Sequence, residues 1–504
     1  MRKKPFASDL RGKRENSLRG ERVMLRNRVC IVFLILLQFF VISYGEKGGG
    51  TKVTIDLKNI IGEINPHIYG HFIEHLDKCI YGGIWDGNDF NYKVVDLIKR
   101  LNPPIMRWPG GNFASGYHWM DGIGPREQRP AKFDLAWRAT DPNTFGTDEF
   151  IRLCRLVNTE PYICVNMGSG TAEEAANWVE YCNLPAGASY YADLRVKNGN
   201  EQPFGVKYWG LGNEIYGDWQ IGHTDAHTYA LNAREFSKRM KWVDPSIKTI
   251  AVGCDDPEWN WEVLRIAGPH IDYISLHEYY HHPDYYERVA SPLAAERSLK
   301  RLAATILAAT GDNRIKIAFD EWNLWQPTGL VSALFSAGIF NVLHRLCLDV
   351  HMANYAQLVN VLPLIIADEK GVRPTPSYFV FQLYRQHAGP LALKVDIEGD
   401  TYISRAWGGE LVVPYVDVSA TLDKSSGKLA IFIVNRDKDK DRECEINIRD
   451  FQGKSEANVW ELNGKDVESN EVEVKEKGKV TISPSFKYTA PAHSLTVMEA
   501  KISL

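Results

Sequence analysis

Between residues 66 and 387 the chain alternates short apolar runs with longer stretches in which apolar residues recur at helical spacing. Short apolar runs bounded by turn residues are typical of buried strands, and the longer periodic stretches are typical of amphipathic helices. Eight runs are predicted as strands: 68–74, 105–108, 161–167, 206–214, 249–253, 272–277, 315–322 and 353–359. Eight strand–helix units over about 300 residues match a (β/α)8 TIM barrel, which is the fold predicted for this region.

The pattern changes on both sides of the predicted barrel. Residues 51–57 alternate polar and apolar side chains, as a half-buried strand does. After about Ala388 the helical spacing stops, and strand-like segments such as 429–434 and 494–498 are separated by polar turns. We therefore predict an α/β protein with three parts after its leader. They are an N-terminal strand in 51–65 that joins the C-terminal domain, a barrel over 66–387, and an antiparallel, jelly-roll-like β-sandwich over 388–504.

The N-terminus has the layout of an export signal. Basic residues outnumber acidic ones in 1–28, and the apolar run 29–42 follows. That run is shorter than the roughly 20 residues that span a bilayer, and Ser43-Tyr44-Gly45 offers small residues at a cleavage site. Residues 1–45 are therefore predicted to be a signal peptide, with secretion or a periplasmic location. The alternative is an uncleaved anchor, which would limit membrane contact to this segment.

Composition and cysteine spacing exclude some classes of partner. A net charge of −4 over 504 residues argues against a nucleic-acid partner, which usually requires a basic face. The eight cysteines are scattered, without the paired spacing of a zinc site. We predict no metal and no other cofactor. Export would permit one or two disulfides, whose pairing the spacing does not assign.

Two glutamates, Glu214 and Glu321, close the fourth and seventh predicted strands. Active sites of TIM barrels lie at the face where the strands end, so the two carboxylates are expected to meet there. Glycoside hydrolysis needs such a pair, one to protonate the leaving oxygen and one to attack the sugar. Strand alternation predicts that only one of Asp320 and Glu321 points into the barrel mouth, and we assign Glu321. The structural alternative for Glu214 is a solvated residue after a capping Asn213.

Several blocks together resemble glycoside hydrolase family 51, the α-L-arabinofuranosidases. Seven of these blocks follow one another along the predicted barrel: 70–76, 81–83, 107–113, 212–214, 275–280, 320–323 and 356–360. An eighth block near the end of the chain, 488–494, resembles the closing strand of that family. The resemblance implies that Glu214 is the general acid/base and Glu321 the nucleophile. It also implies residues that hold the arabinofuranosyl ring or lie beside the carboxylates: Glu74, Asn112, Asn213, His277, Tyr279 and Gln357.

The family resemblance implies exo-acting removal of terminal α-L-arabinofuranose from arabinan or arabinoxylan, with retention of configuration. Retention requires carboxyl groups about 5–5.5 Å apart, and the negative nucleophile is expected to raise the pKa of the acid. The expected partner is an arabinose-containing oligo- or polysaccharide. The family also suggests a homo-oligomer, a hexamer. The rivals are an endo-acting barrel glycosidase and a catalytically silent carbohydrate-binding protein.

Several other residues near the predicted site have candidate roles. Glu74 either binds a sugar hydroxyl or pairs with His71 or His75. Histidines 277, 281 and 282 are weak metal candidates, because adjacent histidines do not easily point at one ion. The aromatic residues expected to contact sugar or wall the pocket are Trp219, Trp322 and Trp325, with His118, Trp119 and the loop to Arg129.

Overall fold

Eight parallel strands close into a barrel in the computed structural model, which describes residues 50–503. The predicted leader, 1–45, lies outside the described residues. The strands up to the end of the barrel region are β1 (Thr51–Glu63), β2 (Gly70–Phe72), β3 (Ile105–Trp108), β4 (Lys132–Asp134), β5 (Ala139–Asp141), β6 (Glu160–Val165), β7 (Tyr208–Leu211), β8 (Lys248–Ala251), β9 (Tyr273–Tyr280), β10 (Lys316–Leu324), β11 (Val350–Ala356), β12 (Ile365–Asp368) and β13 (Gly371–Pro374).

The later strands are β14 (Leu391–Glu398), β15 (Thr401–Ser404), β16 (Leu411–Pro414), β17 (Val416–Asp423), β18 (Lys428–Asn435), β19 (Arg442–Arg449), β20 (Ser455–Gly464), β21 (Val472–Ile482), β22 (Ser485–Ala490) and β23 (Ser494–Lys501). The α-helices are α1 (Tyr92–Leu101), α2 (Thr147–Val157), α3 (Ala172–Asn183), α4 (Tyr190–Lys197), α5 (Ala226–Val243), α6 (Pro257–Ala267), α7 (Tyr285–Thr310), α8 (Gly329–Arg345) and α9 (Pro376–His387). Short 3-10 helices cover Pro66–Tyr69, Asn112–Gly116, Trp119–Gly122, Arg126–Gln128 and Gly268–His270.

The barrel confirms the predicted fold class. Its strands follow one another around the closed sheet in the order β2, β3, β6, β7, β8, β9, β10 and β11, and each overlaps one of the eight predicted strands. Several helices begin where a side chain accepts a backbone hydrogen bond in the first turn, a cap that the sequence supplies at Thr171, Ser189, Asp225, Asp256 and Asp284.

A nine-stranded, largely antiparallel sheet forms the second layer, in the order β21, β20, β23, β18, β17, β14, β1, β19 and β22. Strand β1 lies inside this sheet, antiparallel to β14 and parallel to β19. The edge strand β22 also contacts β18, so the sheet curls over its own apolar core. The C-terminal antiparallel domain is therefore confirmed as one continuous, curled sheet.

Helix α8 lies between the barrel and the curled sheet and contacts β14, β17, β18 and β23. It is apolar on all sides and almost entirely buried, as expected of a helix enclosed by two layers. Across residues 50–503, no helix has both the length and the apolar character that crossing a bilayer requires. Seven of the eight cysteines lie in these residues, all as free thiols.

A buried ionic cluster joins α8 to the sheet. Asp417 of β17 receives Arg345 Nη1 on one oxygen at 2.9 Å and Arg436 Nη2 on the other, also at 2.9 Å. Asn341 Nδ2 lies 3.3 Å from the same carboxylate. Burial opposes the charge of Asp417, but the two guanidinium groups outweigh it and hold the pKa of this carboxyl below its usual value.

We expect Asp417→Ala to lower the free energy of unfolding by about 3–5 kcal/mol, because it leaves buried guanidinium groups without their carboxylate. The midpoint of urea denaturation measures this loss. The matched control is Asp368→Ala, which removes the carboxylate of an exposed pair with Arg373. The midpoint of the control is expected to stay at the wild-type value. Equal midpoints for the two variants would contradict a structural role for the buried cluster.

Candidate active site

A cavity of about 450 Å³ opens at the end of the barrel where the strands finish. Six of the eight residues predicted for the site line it: Glu74, Asn112, Glu214, Tyr279, Glu321 and Gln357. The other two, Asn213 and His277, lie behind the lining and contact it through hydrogen bonds. The remaining lining is mostly apolar: Phe72, Leu76, Gly111, Trp137, Trp219, Trp325, Val361 and Leu362.

Glu321 belongs to β10, and each of its carboxylate oxygens accepts a hydrogen bond. Arg107 Nη1 lies 2.5 Å from Oε1, and the Tyr279 hydroxyl donates to Oε2 at 2.7 Å. A Cβ at Gly111 would lie 3.1 Å from Glu321 Oε1, so glycine lets the backbone approach this carboxylate closely. The Glu321 side chain is therefore held in a fixed orientation toward the cavity.

Glu321 lines the cavity and Asp320 does not, as predicted, but strict alternation along β10 is not the reason. The pairing with β9 sets Ala318 opposite Ser275 and Glu321 opposite His277, so β10 carries one extra residue, a β-bulge. The bulge lets Asp320 as well as Glu321 reach the interior of the barrel. Asp320 accepts a hydrogen bond from the Tyr162 hydroxyl at 2.6 Å and lies beneath the cavity lining.

Glu214 lies three residues beyond the end of β7 rather than within the strand. Its φ of 41° is in the left-handed region, which turns the chain sharply and aims the side chain over the barrel. The His277 Nδ1 atom is 2.9 Å from Glu214 Oε1, and Trp219 Nε1 donates to Oε2 at 2.9 Å. One oxygen of Glu214 lies within 4.8 Å of an oxygen of Glu321.

His277 connects the two glutamates with Asp320. Its Nδ1 atom faces Glu214 at 2.9 Å and Glu321 at 3.6 Å, and its Nε2 atom lies 3.2 Å from Asp320 Oδ1. Burial alone would lower the pKa of this imidazole, but the three surrounding carboxylates raise it to about 10. The ring is therefore protonated at neutral pH, with Nδ1 hydrogen-bonded to Glu214 and Nε2 in an ion pair with Asp320.

The expected rise in the pKa of Glu214 does not occur. Burial favours the neutral carboxyl, but the hydrogen bonds from His277 and Trp219, with the charges of His277 and Arg107, outweigh it. The pKa of Glu214 consequently lies below its ordinary value. The negative neighbour of Glu214 is not its only one: the His277 cation and two hydrogen-bond donors also lie beside it.

Glu74 is buried at the floor of the cavity. Its Oε1 accepts hydrogen bonds from the Gly111 and Phe113 backbone and from Trp137 Nε1 at 3.0–3.1 Å, and Gln357 Nε2 donates to Oε2 at 2.9 Å. Burial and the charge of Glu321 raise the pKa of Glu74 to about 7. The predicted alternative, an ion pair with His71 or His75, is wrong, because His75 pairs with Asp141 and His71 packs on Phe381.

Asn213 is oriented by Arg107, whose Nη2 atom donates to Asn213 Oδ1 at 2.6 Å. The Nδ2 group of Asn213 consequently faces Asn112 Oδ1 at 3.5 Å and Gln220 Oε1 at 3.3 Å. One buried arginine therefore positions both Glu321 and the residue that precedes Glu214. Sequence reasoning did not assign Arg107 to the site, although a charged residue inside the apolar run 105–108 was a usable signal.

The aromatic predictions were partly wrong. Trp219 and Trp325 line the cavity, but Trp322 is fully buried and stacks on Phe319 and Phe381. His118 and Trp119 contact Glu174 instead of the cavity. The wall is provided by Trp137, between the paired strands β4 and β5. That hairpin carries no apolar periodicity, so its contribution was not visible in the sequence.

Glu214, His277 and Glu321 place ligand-type atoms within 4.8 Å of one another, which is close enough to surround a cation. The other histidine candidates do not join them, since His282 accepts a hydrogen bond from the backbone of Asp284. A metal needs a free lone pair on the imidazole, and a protonated His277 has none, because both of its nitrogens carry a proton. The protonated ring therefore argues against a cation between these three residues.

We expect hydrolysis of an aryl glycoside to continue at an unchanged rate after prolonged dialysis against EDTA. The reason is that Arg107, Tyr279 and His277 already satisfy the carboxylates that a cation would otherwise bind. Initial rates with and without subsequent addition of divalent cations measure this. A loss of activity that a particular cation restores would contradict the prediction.

A TIM barrel that holds two carboxylates at this separation, beside a cavity rich in tryptophan and polar side chains, defines a glycoside hydrolase. The comparisons with known proteins narrow this class. The family described as "Alpha-L-arabinofuranosidase 1 domain" matches residues 97–296, and "Alpha-L-arabinofuranosidase C-terminal domain" matches residues 320–494. The chain belongs to the α-L-arabinofuranosidases of glycoside hydrolase family 51.

Relatives and solved structures match over most of the chain. Probable α-L-arabinofuranosidase C of Aspergillus clavatus is 37% identical over 89% of this chain and 97% of its own length. The intracellular exo-α-(1→5)-L-arabinofuranosidase 1 of Bacillus subtilis is 36% identical over 83% and 91%. The crystal structure of the Thermotoga maritima α-L-arabinofuranosidase in complex with arabinose superposes with a TM-score of 0.85 and 41% identity, over 90% and 100%.

Proposed function

We propose that the enzyme removes single α-L-arabinofuranose units from the non-reducing ends of its substrates, with Glu321 as nucleophile and Glu214 as general acid/base. The observation that carries this proposal is the approach of the two carboxylates to within 4.8 Å. The two carboxyl groups of retaining enzymes lie about 5–5.5 Å apart, and those of inverting enzymes lie about 6.5–9.5 Å apart. The close approach seen here therefore favours retention.

In the first step, Glu321 attacks the anomeric carbon while the bond to the leaving oxygen breaks and Glu214 gives that oxygen a proton. Arg107 and Tyr279 hold the Glu321 carboxylate in line for this attack. In the second step, Glu214 takes a proton from water, and the resulting hydroxide attacks the same carbon and releases Glu321. Two displacements at one carbon retain its configuration.

Polar side chains on the floor and sides of the cavity supply partners for the hydroxyls of the sugar ring. Glu74 and Gln357 form the buried floor, and Asn112 and Asn213 stand beside the nucleophile. A buried hydrogen-bonding site left unpaired by the wrong sugar costs binding energy, so the arrangement discriminates between sugars. A cavity of about 450 Å³ that receives a terminal sugar fits exo action, whereas an endo-acting enzyme needs an open cleft along which a chain can run.

The Bacillus subtilis relative is named for α-(1→5)-linked arabinofuranose. We extend that linkage to this enzyme and propose arabinan-derived oligosaccharides as substrates, with the arabinofuranose branches of arabinoxylan as a second source. The product ratio on the two polymers at equal concentration of terminal arabinose tests this extension. Release from arabinoxylan alone would contradict it.

The sequence also supports proposals on where the enzyme is located and how it assembles. We propose export to the periplasm or medium with removal of 1–45, the alternative being retention at the membrane by an uncleaved segment. The N-terminal residue of the protein recovered from its native cell distinguishes the two. A homo-hexamer is proposed from the family resemblance, and light scattering during gel filtration gives the mass that tests it.

The experiment that tests the function compares an aryl α-L-arabinofuranoside with the matching aryl β-D-xylopyranoside. Fast release from the arabinofuranoside and slow release from the xylopyranoside is the expected result. An arabinan oligosaccharide assayed in parallel is expected to yield free arabinose. Larger fragments without the monosaccharide would favour an endo-acting enzyme, and no release from any substrate would favour a carbohydrate-binding protein.

A further inference from the structure

Trp219 lies at the mouth of the cavity, on the loop that follows Glu214. Its indole Nε1 donates to Glu214 Oε2 at 2.9 Å, and 59% of the residue is exposed to solvent. The ring lies against the backbone of Gly217, where a methyl group would collide with it, and meets the Tyr216 ring edge-on at 6.1 Å. The indole is thus held against the carboxylate from the solvent side.

This contact occupies the atom that an acid catalyst must use. Glu214 Oε1 faces His277 Nδ1, which is buried behind the cavity, so Oε2 is the oxygen directed toward incoming substrate. An N–H donor at Oε2 stabilises the ionised carboxylate and opposes a proton on that oxygen. In the free enzyme the two donors therefore hold Glu214 in its basic form.

A leaving group has to reach the same place. Proton transfer requires the glycosidic oxygen within about 2.6–3.2 Å of the carboxyl oxygen, the distance at which the indole nitrogen now lies. Oε2 must carry a proton when the leaving oxygen arrives, and a neutral carboxyl oxygen accepts the indole N–H more weakly than a carboxylate oxygen does. Trp219 is mostly exposed, so solvent is available on one side of its ring.

We propose that Trp219 is a positioning residue that the leaving group displaces from Glu214. The indole keeps Glu214 ionised while the site is empty. Its displacement allows one proton from solvent to bind Oε2, where the leaving oxygen then receives it. This inference rests on the proposed function, since it assumes that Glu214 is the acid of the reaction.

The other titratable groups that face Glu214 belong to residues other than Trp219. They come from every element around it: Arg107, His277, Glu321, Tyr216, Tyr279 and Cys254. Trp219 carries no titratable group itself. A substitution that removes only its N–H therefore changes one hydrogen bond to Glu214 and leaves the surrounding charges in place.

The experiment measures pH profiles of kcat/KM and kcat for an alkyl α-L-arabinofuranoside, whose poor leaving group makes proton donation limiting. The basic limb of kcat/KM reports the acid in the free enzyme, and that of kcat reports it in the complex. In the wild type we expect the kcat limb at higher pH than the kcat/KM limb. Trp219→Phe is expected to raise the kcat/KM limb by about half a unit to one unit and to leave the kcat limb in place.

The matched control is Trp242→Phe, because Trp242 is 77% exposed on α5 and does not line the cavity. Both of its limbs are expected to stay at the wild-type pH. If the kcat and kcat/KM limbs of Trp219→Phe both move, or if neither moves, the inference is overturned but the proposed function is not. In the wild type alone, kcat and kcat/KM limbs at the same pH would also overturn the inference. Complete lack of hydrolysis by the wild type would instead overturn the proposed function, and the inference with it.

Discussion

Glu321→Ala is expected to lower kcat for every arabinofuranoside by about 10⁴-fold or more, because the variant lacks the carboxylate that forms the covalent intermediate. Asp320 does not substitute for it, since it lies beneath the lining and is engaged by Tyr162 and His277. The loss should be equally large for aryl and natural substrates, because both need the nucleophile. Initial rates on an aryl arabinofuranoside and on an arabinan oligosaccharide measure it.

The control for Glu321→Ala is Glu262→Ala, which removes a glutamate of α6 that pairs with His227 away from the cavity. This variant should keep the wild-type rate. Added azide should restore release of the aryl group in Glu321→Ala, because the small anion fits the space left by the carboxylate and attacks the same carbon. The glycosyl azide should then have the inverted configuration. Near-normal hydrolysis without azide would exclude Glu321 as nucleophile.

Glu214→Ala is expected to separate substrates by their leaving groups. Hydrolysis of natural linkages should fall by about 10²–10⁴-fold, the usual contribution of a positioned acid or base. Release of a good aryl leaving group in the first step should be far less affected, because such a group departs without a proton. A burst of aryl release followed by slow turnover is the expected time course, since the second step loses its base.

Azide also distinguishes the role of Glu214 from that of Glu321. In Glu214→Ala it should accelerate the second step and give a glycosyl azide of retained configuration, since attack then follows formation of the intermediate. An equal loss on aryl and natural substrates, with no effect of azide, would count against Glu214 as the acid/base.

The barrel was predictable because its strands are continuous apolar runs separated by turns and helical stretches. Strands that are buried on both faces leave this pattern in the sequence, as Ile105–Trp108 and Lys316–Leu324 do. The placement of Glu214 and Glu321 at one face then followed from barrel topology alone. The family blocks added the sugar-binding candidates, which the structure places in or directly behind one cavity.

The electrostatics of the site were not predictable in the same way. They depend on a β-bulge at Asp320, on a left-handed turn at Glu214 and on the approach of His277 to three carboxylates. None of these features leaves a periodic signal, because each is set by contacts between distant strands. The low pKa of Glu214 in the empty site follows from those contacts, which explains why the expected rise was wrong.

The ionic cluster that joins the barrel to the sheet was not predictable for a similar reason. Asp417, Arg345 and Arg436 come from three separate elements and meet only in the folded chain. An apolar helix such as α8 has to be buried, but its sequence pattern does not say which surface covers it. Trp137 is a comparable case, since a short, polar hairpin brings it to Glu74.

The most direct test of Glu321 as the nucleophile is the mass of the peptide that carries residue 321 after Glu214→Ala reacts with an aryl α-L-arabinofuranoside. In this variant the intermediate forms and decays slowly, so it should accumulate. The expected result is the added mass of one arabinofuranosyl group on Glu321. Release of the aryl group with an unmodified Glu321, or a sugar attached to another residue, would contradict it.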